Sequence, residues 1–92
     1  MSIQNCTLSV EDILSRKTKV YPNPAVESVV IEIPAELIGC QVSFYTTAGR
    51  KVFSQRQNLL REDYSLHQIS SGNYILVFDM DGIRFSQEII KR

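Results

Sequence analysis

The chain has 92 residues, of which 43% are hydrophobic, and its ten basic and ten acidic residues cancel. This length is enough for one small domain that must bury most of its apolar side chains to offset chain entropy. The charge balance leaves no broad electropositive surface for a phosphate backbone, so we expect no nucleic-acid partner. No apolar run approaches the roughly 20 residues of a membrane-spanning helix, so we also expect no membrane span.

The first 17 residues differ in pattern from the rest, and we predict that they are a linker or leader, with the folded domain at 18–92. Residues 9–14 can cap and start one helical turn. A linker that docks loosely is an equally good interpretation, because so short a helix is marginal alone. Cys6 lies in this leader, and a Cys6–Cys40 disulfide stays open as an alternative to a buried, free Cys40.

The stretch Tyr21-Pro22-Asn23-Pro24 marks the start of the folded unit. A residue that precedes proline is pushed out of the helical region, and proline itself donates no backbone hydrogen bond. This pattern predicts a rigid corner that delivers the chain into a strand at Val26.

Beyond residue 17 apolar residues recur with a period of two, and turn residues follow at the spacing that is typical of a β-sandwich. The pattern predicts strands at 18–21, 26–33, 40–47, 50–55, 63–68, 73–79 and 83–92. The predicted core positions are Val29, Ile31, Ile33, Val42, Phe44, Val52, Tyr64, Leu66, Tyr74, Leu76 and Phe78. Ile75 and Val77 make strand 73–79 apolar on its other face as well, so we expect a central strand.

Glycine-containing turns separate these strands. Ala48-Gly49 and Asp81-Gly82 predict tight hairpin turns, and Gly72 predicts a positive φ where the chain changes direction. Seven short strands without a helix that could cover a sheet predict an all-β fold. The expected architecture is an immunoglobulin-like antiparallel β-sandwich.

The sequence offers little catalytic chemistry. His67 is the only histidine, and no nucleophile or carboxylate stands beside it, so we expect an ordinary surface residue and no enzyme. The acidic turn at 79–82 lacks the ligand ladder and the closing glutamate of a calcium loop. We therefore predict no metal site and no cofactor.

Four motifs occur in a specific order: Tyr21-Pro22-Asn23-Pro24, Gly49-Arg50, the run from Ile69 to Tyr74, and Ile89-Ile90-Lys91. In this order and spacing the chain resembles the C-terminal sorting domain of type IX secretion system cargo proteins, subtype A. The resemblance covers about residues 18–92. Two departures are the replacement of an aspartate-containing turn by Thr46-Thr47-Ala48 and the presence of Gln87-Glu88 where a lysine is frequent.

The resemblance implies a secretion signal without catalysis of its own. In that family the folded domain is recognised by the type IX translocon, which moves the upstream cargo from the periplasm across the outer membrane to the cell surface. A sortase usually cleaves ahead of the domain, which would place the cut within residues 1–19.

The resemblance also suggests residue roles. It implies translocon recognition by Ile89, Ile90 and Lys91 on an exposed final strand. We therefore expect that removal of residues 89–92 abolishes export and leaves the domain folded. Structural roles are implied for the other motif residues: Tyr21, Pro22, Asn23, Pro24, Gly49, Arg50, Gly72 and Tyr74.

Two other classes remain open from the sequence. An adhesive or carbohydrate-binding sandwich would bind through end loops such as Ile38-Gly39 and residues 57–60, although an exposed aromatic platform is missing from the pattern. A structural spacer in a larger surface protein would have no partner of its own.

Overall fold

The computed structural model describes residues 10–92. Helix α1 spans Val10–Lys17, a short 3-10 turn spans Ala35–Leu37, and seven strands make up most of the rest. The strands are β1 (Lys19–Tyr21), β2 (Ser28–Glu32), β3 (Cys40–Thr46), β4 (Lys51–Gln57), β5 (Arg61–Ser65), β6 (Gly72–Met80) and β7 (Ile83–Lys91). The prediction of an all-β fold with seven strands is confirmed.

The strands form two antiparallel sheets that face each other. The smaller sheet has the order β1-β2-β5 and the larger one the order β4-β3-β6-β7. β6 therefore lies between β3 and β7, which confirms the prediction of a central strand. The two sheets enclose one apolar core, as the alternating pattern requires.

The core consists mainly of the inward positions of the alternating strands. Ten of the eleven predicted core positions are buried, namely Val29, Ile31, Ile33, Val42, Phe44, Tyr64, Leu66, Tyr74, Leu76 and Phe78. Cys40 is a buried free thiol, and burial raises the pKa of that thiol. Cys6 lies outside the described residues.

The prediction that Val52 lies in the core is wrong. Its side chain is 37% exposed, and the neighbouring Phe53 packs on the core with its ring centroid 5.2 Å from that of Phe44. The register explains the change: Phe44 pairs with Phe53 but Tyr45 pairs with Lys51, so Val52 is the extra residue of a β-bulge. A bulge shifts the alternation by one residue, which a strict period of two cannot anticipate.

The strand predicted to start at Val26 begins two residues later, at Ser28. Residues 25–27 cross from one sheet to the other: Ala25 bridges to Lys91, and the carbonyl of Glu27 accepts from the amide of Leu66 at 2.9 Å. The backbone groups of Ala25 and Glu27 therefore pair with Lys91 and Leu66, and β2 begins only after them. His67 lies in the exposed turn that follows β5, outside the strand predicted for it.

One buried polar network joins the sheets at the end where β2 and β4 finish. The amide of Gln57 donates to the carbonyls of Ile31 at 2.9 Å and Leu59 at 3.0 Å. Its oxygen accepts the hydroxyl of Tyr64 at 2.8 Å. All polar groups of the Gln57 side chain are thereby satisfied, so this residue can be fully buried. Desolvation raises the pKa of Tyr64 well above its usual range.

Helix α1 packs beside the last strand. Leu14 is buried in the core, and the amide of Gln87 on β7 donates to the carbonyls of Ser15 at 3.1 Å and Thr18 at 3.2 Å. The hydroxyl of Thr18 donates to the carbonyl of Leu14 at 2.8 Å, which satisfies a further carbonyl at the helix end. The helix is longer than the single predicted turn, and its expected cap, Ser9, lies outside the described residues. The domain boundary at residue 17 stays a prediction.

The eight residues of α1 are far too few to cross a membrane, and no other helix of the described residues 10–92 is long and apolar enough to do so.

Candidate recognition end of the sandwich

The four sequence motifs meet at one end of the sandwich. In the larger sheet Thr46 pairs with Tyr74, Tyr74 pairs with Ile89, and Gly72 pairs with Lys91. Ala25 adds to the open edge of β7 through a parallel bridge to Lys91. We call residues 21–25, 46–50, 70–74 and 88–92 together the motif end. Antiparallel pairing of β3, β6 and β7 is what brings segments so distant in sequence together.

The proline-containing corner holds the last strand by hydrogen bonds. The side-chain oxygen of Asn23 accepts from the amide of Ile90 at 3.0 Å, and its side-chain nitrogen donates to the carbonyl of Glu88 at 3.3 Å. Next to it the amide of Ala25 donates to the carbonyl of Ile90 at 2.7 Å, and its carbonyl accepts from Arg92 at 2.8 Å. We call these four contacts the clasp. An asparagine side chain carries a donor group and an acceptor group, so here it pairs with β7 as a neighbouring strand would.

The clasp corrects the expectation of an exposed final strand that could be removed without loss of the fold. The outward backbone groups of Ile90 are already paired with Asn23 and Ala25. Ile89 is only 1% exposed and belongs to the core. Removal of residues 89–92 would therefore open the core and the clasp together.

The three residues predicted for recognition differ in accessibility. Ile89 faces the core, Ile90 is 45% exposed on the outer face of the larger sheet, and Lys91 is partly exposed. Only Ile90 and Lys91 can be contacted in the folded domain. Ile89 instead anchors the strand that presents them.

Gly49 and Arg50 form a tight turn between β3 and β4. Gly49 has a φ of +89°, which side chains other than glycine rarely adopt, and its amide donates to the carbonyl of Thr46 at 2.9 Å. The amide of Arg50 donates to the hydroxyl of Thr46 at 3.1 Å. The threonine hydroxyl can thus supply the acceptor that an aspartate side chain would otherwise provide at such a turn.

Gly72 and Tyr74 begin β6 beside this turn. Gly72 has the positive φ expected of it, +152°, but at the first residue of the strand. Tyr74 is buried, and its hydroxyl donates to the carbonyl of Ser70 at 2.5 Å. The tyrosine thus ties the preceding loop to the core, as a structural role requires.

Tyr21 takes part differently from its neighbours Pro22 and Pro24, whose preceding peptide bonds are both cis. Its hydroxyl donates to the carboxylate of Glu32, and the Arg61 guanidinium lies 6.0 Å from its ring centroid. The hydrogen bond to Glu32 raises the pKa of Tyr21. This side chain therefore faces the smaller sheet and lies away from the clasp.

The motif end carries more basic than acidic residues. Its cations, with the neighbouring Lys51 included, are Arg50, Lys51, Lys91 and Arg92, against Glu88 and the adjacent Glu27. Neither Arg50 nor Lys51 is in an ion pair with another residue of the described range 10–92. The chain as a whole is neutral, so the positive charge of this end is balanced by negative charge elsewhere in the chain.

The loops of the alternative binding interpretation lie at the opposite end. Ile38 and Leu59 are exposed there, but Gln57 is buried and occupied by the network with Tyr64. The exposed large side chains of these loops are aliphatic. A stacking platform for sugar rings therefore does not form from them.

Sequence reasoning missed two features of the motif end. One is the backbone pairing of Ala25 with β7, and the other is the pairing of the Asn23 side chain with the same strand. An asparagine between two prolines has few backbone partners of its own, which is the one signal that could have suggested side-chain pairing.

The chain matches a known protein family. A family model described as the secretion system C-terminal sorting domain matches residues 19–92, which leaves helix α1 outside the match. No curated protein matches the chain.

Among solved structures, the chain is similar to PorZ, an essential bacterial surface component of the type-IX secretion system of Porphyromonas gingivalis, with a TM-score of 0.71 and 20% sequence identity. The similarity covers 91% of this chain but only 12% of that one, and at this identity it supports the fold alone. The match of the family model, over most of the chain and all four motifs, is what assigns the family. This chain belongs to the family of secretion system C-terminal sorting domains.

Proposed function

We propose that this domain is a sorting signal that the type IX translocon reads at the motif end, so that an upstream cargo protein crosses the outer membrane. The observation that carries the proposal is the meeting of four motifs around the clasp, where Asn23 binds a strand 67 residues away in sequence. By the family resemblance, the cargo would pass through the periplasm and finish at the cell surface or outside the cell. The family is a class of sorting signals and has no known catalysis.

The clasp supports recognition of a folded surface. A strand fixed on both edges presents Ile90 and Lys91 in one conformation. The translocon would then spend little binding free energy on ordering a flexible segment. In this proposal Ile90 and Lys91 contact the translocon, and Ile89 holds them in place from the core.

Translocon dependence is the direct test. A fluorescent reporter directed to the periplasm is fused ahead of residues 1–92 and expressed in a host with a working type IX system and in a translocon-null strain. We expect the reporter outside the first strain only. Retention of the reporter in both, with the domain shown to be folded by protease resistance, would favour an adhesive or spacer module.

The same fusion tests sortase processing. We propose that a sortase cuts ahead of the domain, on the N-terminal side of Val10, because residues 10–17 form a helix that is docked through Leu14. A protease site must be extended to enter an active site, and a docked helix resists this. Mass spectrometry of the exported reporter is expected to place its new end before Val10, and a cut within residues 10–92 would contradict the proposal.

A further inference from the structure

The outer face of the larger sheet carries an apolar strip where a solvent-facing surface is expected. Ile75 and Val77 on β6 are half-buried and point away from the core, and Tyr45 on β3 pairs with Ile75. Ile90 extends the strip onto β7 through its pairing with Asn73. The other outward positions of β7 are exposed and polar, namely Arg84, Ser86 and Glu88. The strip is therefore a local departure from the usual alternation.

Two shallow depressions meet on this strip. One, of about 250 Å³, runs from Asn23 and Asn73 to Ile75 and Ile90. The other, of about 290 Å³, lies between Tyr45, Ile75, Val77 and Arg84, whose guanidinium is 3.7 Å from the carboxylate of Asp79. They share Thr47 and Ile75, and we call them together the outer groove. It begins at the clasp and continues toward the middle of the sheet.

The position of the outer groove on a sheet face suits a protein-binding surface. Small-molecule sites are usually concave cavities of roughly 300–1,000 Å³ that enclose most of their ligand. Both depressions here lie on the outer face of one sheet and do not form an enclosed cavity. Side chains of a partner segment fit such a surface better than an enclosed ligand does.

Charge fixes the chemistry of the partner. The Lys51 ammonium lies 5.8 Å from the centroid of the Tyr45 ring, at one side of the groove, and the exposed Arg50 is adjacent in sequence. Glu88 lines the other side, beside Ile90. A carboxylate on the partner is attracted at the Lys51 side and repelled at the Glu88 side.

We propose that the outer groove docks an acidic and apolar segment of a translocon protein, with an aliphatic side chain over Ile75 and a carboxylate beside Lys51. The inference rests on the proposed sorting function and extends the contact surface from the last strand to Tyr45, Ile75 and Val77. A second copy of this chain is the competing occupant, and the experiment separates the two.

The first arm uses matched lysine variants of the exported fusion. Val77 and Val30 are both half-buried, outward valines on the central strands of the two sheets. We expect Val77→Lys to lower export by about tenfold or more, because an unpaired ammonium would be buried at the contact, and Val30→Lys to leave export unchanged. Equal export of both variants, or an equal loss, would overturn the proposal.

A second arm changes exposed charges, whose replacement usually alters stability little. Lys51→Glu reverses an exposed charge beside the groove, and Arg56→Glu reverses one at the other end of the same strand. We expect only the former to reduce export, by about tenfold as for a close charge pair. If both charge-reversed fusions were exported at the unaltered level, or if both lost export equally, the proposal would be overturned. If the unaltered fusion were not exported at all, the sorting function itself would fail.

A crosslink identifies the occupant. Tyr45 is replaced by p-benzoylphenylalanine in the fusion, and irradiation is carried out during export. We expect an adduct with a translocon protein that disappears in the translocon-null strain and weakens with Lys51→Glu. An adduct of two fusion chains as the main product, or an adduct indifferent to Lys51→Glu, would contradict the docking of a translocon segment.

Discussion

The two ends of the sandwich are built in different ways. At the motif end, the contacts that close the structure join segments far apart in sequence, such as Asn23 with Ile90. At the opposite end the exposed connection is a local hairpin, in which Asp81 and Gly82 turn the chain directly from β6 into β7, both with positive φ. The long-range Gln57 network at that end is buried between the sheets. The surface of the motif end is therefore complete only when the whole domain has folded, whereas the exposed hairpin at the other end forms from neighbouring residues.

This difference suits a signal that reports on a finished fold. A surface made from four distant segments exists only after the sheets have assembled, so a receptor that reads it selects folded cargo labels. A local hairpin carries no such information. The comparison predicts that damage to the motif end changes both stability and export, and that damage to the opposite end changes stability alone.

The largest expected effect separates two neighbouring residues of the last strand. Ile89→Ala should lower the free energy of unfolding by about 2–5 kcal/mol, because it leaves a cavity in the core. Ile90→Ala should cost under about 1 kcal/mol, since surface changes are usually small. Urea denaturation followed by fluorescence measures both. Equal costs would contradict the assignment of Ile89 as the anchor and Ile90 as the presented residue.

An intermediate effect is expected at the opposite end. Tyr64→Phe removes the donor to Gln57 and leaves a buried amide oxygen unpaired, at a cost of about 1–3 kcal/mol. Export of the fusion should stay unchanged at a temperature where the variant is folded. If export fell while the folded fraction stayed constant, the expectation that damage at the opposite end changes stability alone would be wrong.

A smaller effect sharpens the role of the clasp. Asn23→Ala removes two side-chain hydrogen bonds to β7 and should cost about 1–2 kcal/mol. The Ile90 amide loses its acceptor, so its hydrogen exchange should quicken by more than the exchange of the core amides. Asn73→Ala, an exposed asparagine on the neighbouring strand, is the control. Uniform acceleration across the domain would mean that Asn23 has only a general structural role.

The smallest effect concerns pH. Burial raises the pKa of Cys40 above its ordinary value of 9.0, so the folded state keeps a proton that the unfolded chain releases. The resulting stability is fully present below about pH 9 and declines as pH rises through the folded pKa. Urea denaturation from pH 7 to 10 should show this decline for the unaltered chain and a weaker one for Cys40→Ala. Parallel curves would show that the thiol does not contribute.

Much of the fold follows from residue pattern. Alternation identified the strands because each sheet has one face in the core, and Asp81-Gly82 was identifiable because a tight hairpin needs positive φ. The prediction that Val52 lies in the core is wrong because a bulge is a local insertion, which the hydrophobic period of the sequence does not reveal. Helix α1 is longer than the single turn that the sequence predicts, because tertiary contacts of Leu14 and Gln87 stabilise it.

The candidate site was less accessible to prediction. The motifs could be found one by one, but their meeting depends on the order of the strands and on the parallel bridge of Ala25. The opposite orientations of Ile89 and Ile90 follow from the alternation of a strand once its register is known. The outer groove combines depressions from β3, β6 and β7, a relation that sequence spacing does not contain.

The most direct test of the account compares the two ends in one export assay. One fusion carries Ile90→Ser with Lys91→Glu at the motif end, and the other carries Leu59→Ser with Arg56→Glu at the opposite end; all four positions are at least partly exposed. We expect the first fusion to stay folded in the periplasm and the second to be exported like the unaltered chain. Export of the first fusion at the unaltered level would contradict recognition at the motif end.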